Sequence, residues 1–268
     1  VLIWRDDPAQ NEGQNMSEAG PAIDPIHQFH IKTITSLHPF GLDASFTNAS
    51  LFMVIVLLGA SYLMILGTSE RQIVPNRMQA IAEMSYEFIA STVRQTAGDA
   101  GMRFFPFVFS LFIFVLLSNI IGLFPYTFTV TSQIVVTFAF AAFIIGLVIL
   151  YGIYKNGLHF FHLFVPSGVT PALLPFIVLI EIISFASRPI SLSVRLFANM
   201  LAGHITLKVF GGFVVMLLGA GAYALLAPLP FVFIIVLTAF ELLVAVLQAY
   251  VFAILTCVYL NDAIHPGH

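Results

Sequence analysis

The sequence predicts an all-α membrane protein with five membrane-embedded helices and one amphipathic helix at the membrane interface. The last two membrane helices are expected to be long, steeply tilted and paired as a hairpin. Three observations predict this. Of the 268 residues, 59% are hydrophobic and only 9% are charged, where a soluble domain carries roughly a quarter of charged residues. The mean hydropathy is +1.00. The apolar residues also gather into five runs, at about 46–67, 104–124, 132–153, 171–219 and 227–260, and a crossing takes roughly 20 such residues.

Residues 1–15, VLIWRDDPAQNEGQN, have neither the apolar core nor the cleavage pattern of a signal peptide. Met16 then opens MSEAGPAIDPIHQFHIK, which reads as an ordinary start. The first fifteen residues are therefore expected to be an extension or a misassigned start. Residues 16–45 are expected to form an external N-terminal segment, and 46–268 a single membrane domain.

The first three apolar runs fit single crossings. Between the first and second lies a stretch, 74–97, in which Met78, Ile81, Ser85, Phe88 and Thr92 recur at helical spacing. Arg77, Glu83, Glu87 and Arg94 take the other side, and Pro75 suits a helix start. This predicts an amphipathic helix lying on the membrane or against a partner. Runs four and five would extend roughly 70 and 50 Å as helices, against a hydrocarbon core of roughly 30 Å. They must be broken or strongly tilted.

Lysine and arginine set the orientation. The 68–103 loop holds Arg71, Arg77, Arg94 and Arg103, and the 154–170 loop holds Lys155; loops 125–131 and 220–226 hold neither. The alternation puts the N-terminus outside and the C-terminus on the cytoplasmic or matrix side.

Several functions are excluded. A net charge of −3 leaves no basic stripe for nucleic acid. The single cysteine, Cys257, lies in an apolar run and allows neither an intrachain disulfide nor a zinc or iron–sulfur motif. There is no phosphate-binding loop, no zincin histidine pair and no nucleophile motif. No covalent catalysis is expected of this chain, and no cofactor.

The chemistry concentrates in the last two runs. A lone arginine at mid-bilayer costs about 2.5–3.5 kcal/mol on insertion scales, yet these runs carry Glu181, Arg188, Arg195, His204, Lys208 and Glu241, with Asn199, Gln248 and several serines. Ser184, Ser191, Arg195, Asn199, Ala202 and Thr206 fall on one small, polar stripe, which lets another helix approach closely. His204 lies nine residues past Arg195, about 180° round the helix. Glu241, Ala245, Gln248 and Phe252 share a face of the last helix.

In a hairpin turning near residue 223, His204 and Glu241 come level, with Asn199 and Gln248 about a turn deeper and Arg195 deeper again. Glu181 lies towards the opposite membrane face. Carboxylates and imidazoles gain and lose protons, whereas arginine does not. An always-charged group between two titratable branches is a barrier between two proton paths. A buried Arg–Glu pair can also serve only to fix helix register, but six ionisable groups ordered by depth on one hairpin favour an ion path.

The run SLSVRLFANMLAGH (191–204), with FELLVAVLQAYVFAILTCVYLNDA (240–263), FTNASLF, SNIIGLFPYTFTVTSQ and NGLHFF, resembles the subunit a family of the F-type ATP synthases. The likeness runs from about Ile26 to the C-terminus. His204 and Glu241 stand in the order that resembles mitochondrial and alphaproteobacterial members; many bacterial members have the two exchanged.

The resemblance implies a non-catalytic, proton-conducting stator of the membrane sector, in a bacterial inner or mitochondrial inner membrane. Its partners would be the c-ring, b-type peripheral-stalk subunits and lipid, with no small-molecule substrate other than protons. On the matching positions, Arg195 would face the ring carboxylate. Asn199, His204, Glu241 and Gln248 would line the outer half-channel, and Glu181 and Ser184 the inner one. The alternative is a secondary transporter or antiporter subunit binding an ion at mid-membrane. Such folds show paired repeats, and here the first three spans do not mirror the last two.

Overall fold

The computed structural model describes residues 29, 31–35, 45–69, 72–124, 127–165 and 173–264. Residues 1–15, most of 16–45, and Arg71 lie outside the described residues. The described chain is almost wholly helical. Six helices follow one another: α1 (Asn48–Ser69), α2 (Arg77–Gly101), α3 (Phe105–Gly122), α4 (Ile134–Asn156), α5 (Leu174–Gly219) and α6 (Pro228–Ile264). Five helical stretches are long and apolar enough to cross a membrane. They form a multi-pass membrane bundle.

The outward faces carry large apolar side chains, among them Leu58, Ile65, Leu150, Val215 and Leu225, as lipid contact requires. Exposed hydroxyls are satisfied within their own helices, Ser61 on Leu57 O, Thr68 on Met64 O and Thr238 on Ile234 O. In hydrocarbon an unsatisfied polar group costs several kcal/mol.

One element was not expected from the sequence. Thr33–Thr35 (β1) and Phe46–Thr47 (β2) pair antiparallel, with Thr33 opposite Thr47. Lys32 and Asn48 extend the pairing, Asn48 N donating to Lys32 O at 3.1 Å and Lys32 N to Asn48 Oδ1 at 3.1 Å. This ribbon holds the N-terminal segment to the start of α1.

Helix α2 packs one side against the bundle. Gln79, Ala82, Ile89, Ala90, Val93 and Ala97 face the bundle with Thr92, whereas Ile81 and Phe88 are exposed. Close approach selects small residues: a Cβ on Gly67 of α1 would stand 2.5 Å from the Ala82 Cβ. Phe88, though partly exposed, sets its ring 6.1 Å from that of Phe112 and 5.1 Å from that of Tyr250. Asn76, not Pro75, starts the helix, its Oδ1 accepting from Gln79 N at 2.9 Å. The helical path kinks inside α2 at Gly98, whose φ of 64° and ψ of −169° are not helical.

Helices α5 and α6 form the hairpin. Arg188 meets Asp262, His204 meets Glu241, and Phe210 stacks on Phe233 at 5.7 Å. As one number rises the other falls, which is antiparallel pairing. Their 46 and 37 residues run about 70 and 55 Å, so in a bilayer roughly 30 Å thick they lie tilted. Pro189 sits inside α5 and removes one helical hydrogen bond there.

The core lies between α2, α3, α4, the inner face of α5 and the second half of α6, with Ile89, Val108, Ile144, Leu192, Phe252 and Leu260 fully enclosed. At the far end of α6, Lys155 Nζ donates to Ile264 O at 3.1 Å and Asn156 Nδ2 to Ala263 O at 2.7 Å. These bonds satisfy the last carbonyls of α6. Phe104 packs edge-on against Tyr151, so the start of α3 and the end of α4 share that end of the bundle. The 103 and 155 positions, both basic, are thus on one side.

Candidate functional site

The expected stripe on α5 is on the surface. Ser184, Ser191, Arg195 and Ala202 are exposed and Asn199 and Thr206 half-buried. The opposite face, Leu192, Ser193, Leu196, Met200 and His204, is buried against the bundle. Two helix faces about 180° apart thus divide the polar residues, as the spacing requires. None of the ion pairs among the described residues includes Arg195.

His204 and Glu241 come together inside. His204 Nδ1 lies 3.6 Å from Glu241 Oε1, and the two residues are 8% and 5% exposed. Gly203 makes the space, since a Cβ there would stand 2.6 Å from that oxygen. Among the described residues neither Glu241 oxygen accepts a hydrogen bond, and Gln248 Nε2, on the same buried face two turns on, donates none. The face predicted for α6 is observed: Glu241, Ala245, Gln248 and Phe252 are all buried.

On the other side, His204 Nε2 lies 3.0 Å from Thr129 Oγ1, in the connection between α3 and α4. Thr131 Oγ1 donates to Asn119 Oδ1 at 2.9 Å, and Asn119 Nδ2 donates to Ala245 O at 3.3 Å. Phe29 places its ring 6.2 Å from that of His204, its carbonyl held by Gln133 Nε2 at 3.0 Å. A cleft of about 200 Å³ opens between α5 and α6, lined by Asn199, Gly203, Thr206, Leu237 and Glu241. Glu241 therefore has two neighbours: His204 within the bundle, and the cleft beside Asn199 on the stripe side.

At the opposite end lies a second cluster. Arg188 Nη1 donates to Asp262 Oδ2 at 2.8 Å, and its Nη2 lies 3.8 Å from Glu181 Oε1. The guanidinium also packs on the rings of Phe185 and Tyr259, at 5.1 and 5.0 Å. Glu181 is thus tied through Arg188 to α6, while Ser184 faces outward. Among the described residues no group of histidines, cysteines and acids has the makings of a metal site.

Sequence reasoning missed Thr129, Thr131 and Asp262, and it gave Asn119 no role. The two threonines sit in a connection, where no periodicity points at a neighbour. Asp262 falls just past the expected end of the last helix, which runs four residues further. Gly203 beside His204 was the available signal for a carboxylate packed against the backbone.

The comparisons with known proteins agree with this architecture. The family described as ATP synthase A chain matches residues 49–261. The chain is similar to the ATP synthase subunit a of Beijerinckia indica, 66% identical over 247 residues, which is 92% of this chain and 98% of that one. It is similar at 64% to that of a Chelativorans species and at 62% to that of Agrobacterium fabrum, each over 92% of this chain and the whole of the relative. The match spans the helices that carry both polar clusters, and the chain belongs to the ATP synthase A chain family.

Proposed function

We propose that this chain is the stationary proton-conducting subunit of the ATP synthase membrane sector, offering two aqueous half-channels to a rotating c-ring and separating them with Arg195. The observation that carries the reading is the two-sidedness of α5. Arg195 is turned out of the chain's own bundle, while His204 and Glu241 pair inside it. Arginine stays charged, and a bare charge in hydrocarbon is costly. An outward-facing arginine at this depth therefore calls for an acidic group on another subunit, and a ring carboxylate meets that need.

Protons enter from outside to His204 and Glu241, with Gln248 close by on α6, and pass along the cleft beside Asn199 to the ring. They leave towards Glu181 and Ser184 on the inner side. Arg195 pairs with the ionised ring carboxylate and repels a proton moving straight from one half-channel to the other. The N-terminus is outside, and the end that bears Arg103 and Lys155 is cytoplasmic, in a bacterial inner membrane. The peripheral-stalk subunits meet the exposed side of α2. The chain makes and breaks no covalent bond; ATP chemistry belongs to the catalytic head.

Proton flux in vesicles holding the intact synthase, with and without ATP, tests this. Arg195→Ala is expected to abolish ATP-driven pumping and to permit a passive leak. Arg195→Lys lacks the planar fork and loses its proton more readily when buried, so it is expected to fail or nearly fail. Wild-type pumping by the alanine variant would sink the mechanism. Inactivity caused only by failed assembly would reduce Arg195 to a structural residue.

A further inference from the structure

The two nitrogens of His204 are held by different partners, and each partner is seated by a glycine. Glu241 occupies the space beside Gly203. Thr129 occupies the space beside Gly122, where a Cβ would stand 2.7 Å from Thr129 Cγ2 and 2.9 Å from its Oγ1. Neither glycine could carry a side chain without moving the group that touches the imidazole. The ring is gripped from both sides, from α6 and from the α3–α4 connection.

We infer that Thr129 is a positioning residue for proton entry, holding the His204 ring so that Nδ1 faces Glu241 while Nε2 faces the Thr129 hydroxyl. The inference rests on the proposed entry route through His204 and Glu241. Thr129 Oγ1 donates to Gly122 O at 3.4 Å, because a carbonyl can only accept. A hydroxyl has one proton. At its second contact, 3.0 Å from His204 Nε2, Oγ1 accepts from Nε2–H or turns its proton to a bare Nε2, and either bond fixes the orientation of the ring.

The neutral imidazole carries its proton on one nitrogen only. Nδ1 confronts Glu241 Oε1, 3.6 Å away. A proton passes between the two once the gap closes to hydrogen-bond distance. It resides on the carboxyl beside a neutral ring, or on Nδ1 beside a carboxylate, and passing from one to the other breaks one bond to hydrogen and forms one. The Nε2 contact with Thr129 is available in both states, so the ring need not turn. Among the described residues the other charged group acting on His204 is Lys208 on its own helix. Among the described residues α3 and the connection to α4 carry no charged side chain.

The test uses the intact synthase in vesicles, measuring ATP-driven proton pumping across a pH series. Thr129→Val keeps the shape and removes the hydroxyl; Thr129→Ser keeps it. Loss of one hydrogen bond to the imidazole is expected to slow pumping about tenfold and to displace its pH profile from that of the wild type. The serine variant is expected to recover the rate to within about twofold, with the wild-type profile. If the valine variant does not assemble, Thr129→Ala against Thr129→Ser reads the same difference.

Wild-type rate and profile in the valine variant, or in the alanine variant that replaces it, overturn the assignment. So does a serine variant as defective as the variant it is compared with, which would make the role one of packing. His204→Ala is measured alongside. If it pumps normally, the entry route itself is wrong; if it is impaired while the variant lacking the hydroxyl is not, only the role of Thr129 falls.

Discussion

Arg188 bridges the hairpin at one end, bonded to Asp262 at 2.8 Å while its guanidinium packs on the rings of Phe185 and Tyr259. The planar cation satisfies a carboxylate at its edge and two π-faces with its body, a combination that lysine's ammonium does not reproduce.

Asp262→Ala is accordingly expected to destabilise the subunit by about 1–3 kcal/mol, because it leaves a half-buried guanidinium without its main acceptor. Arg188→Lys should lose a similar amount. Thermal denaturation of the purified subunit in detergent checks both. A lysine variant as stable as the wild type would show that the ring contacts contribute nothing.

The pairing of His204 with Glu241 predicts the outcome of a double exchange. His204→Glu and Glu241→His alone should each slow proton flow, by on the order of 100-fold where a positioned proton carrier is lost. Combined, they restore one imidazole and one carboxylate across the same gap and should pump faster than the worse single variant. A double variant no faster than that single would refute direct pairing, since groups in contact couple and independent ones do not.

Gly203 offers a test that leaves both proton carriers in place. Gly203→Ala puts a methyl where the Glu241 carboxylate lies, so the carboxylate must move away from His204 Nδ1. Proton pumping should fall about tenfold or more, since small misplacements of reacting groups are costly. Gly211→Ala, on the same helix and with nothing within 4 Å of the new Cβ, should pump at the wild-type rate. Equal rates for the two variants would show that the carboxylate position does not matter.

The helical architecture and the division of polar residues between two faces of α5 could be read from spacing alone, because a helix turns by a fixed angle per residue. That is why Arg195 and His204 fall on opposite faces as expected. The same arithmetic grouped Ile81 and Phe88 on one face of α2, expected to meet the membrane or a partner, but it did not say which side packs on the bundle. Apolar side chains mark the inward face only when the outside is water. In lipid both sides are apolar, and the face is decided by how closely backbones can approach, hence by Ala82, Ala90 and Ala97. Thr129 and Thr131 were not legible because a connection has no period, and their contacts depend on how α3 and α4 come to lie beside α5.

The hairpin is supported unevenly along its length. Between residues 205 and 240 only Ala227 and Pro230 are buried among the described residues, whereas the other end is pinned by Arg188 to Asp262 and by Lys155 and Asn156 to the final carbonyls of α6. Mechanically this is a beam clamped at its base and loose at its tip. A sideways force on the exposed face deflects the tip most and the base least, and the bent helices return the elastic work when the force is removed. Arg195 lies nearer the clamp than the tip, so the charge sits in the stretch of the hairpin that this chain itself holds on both sides.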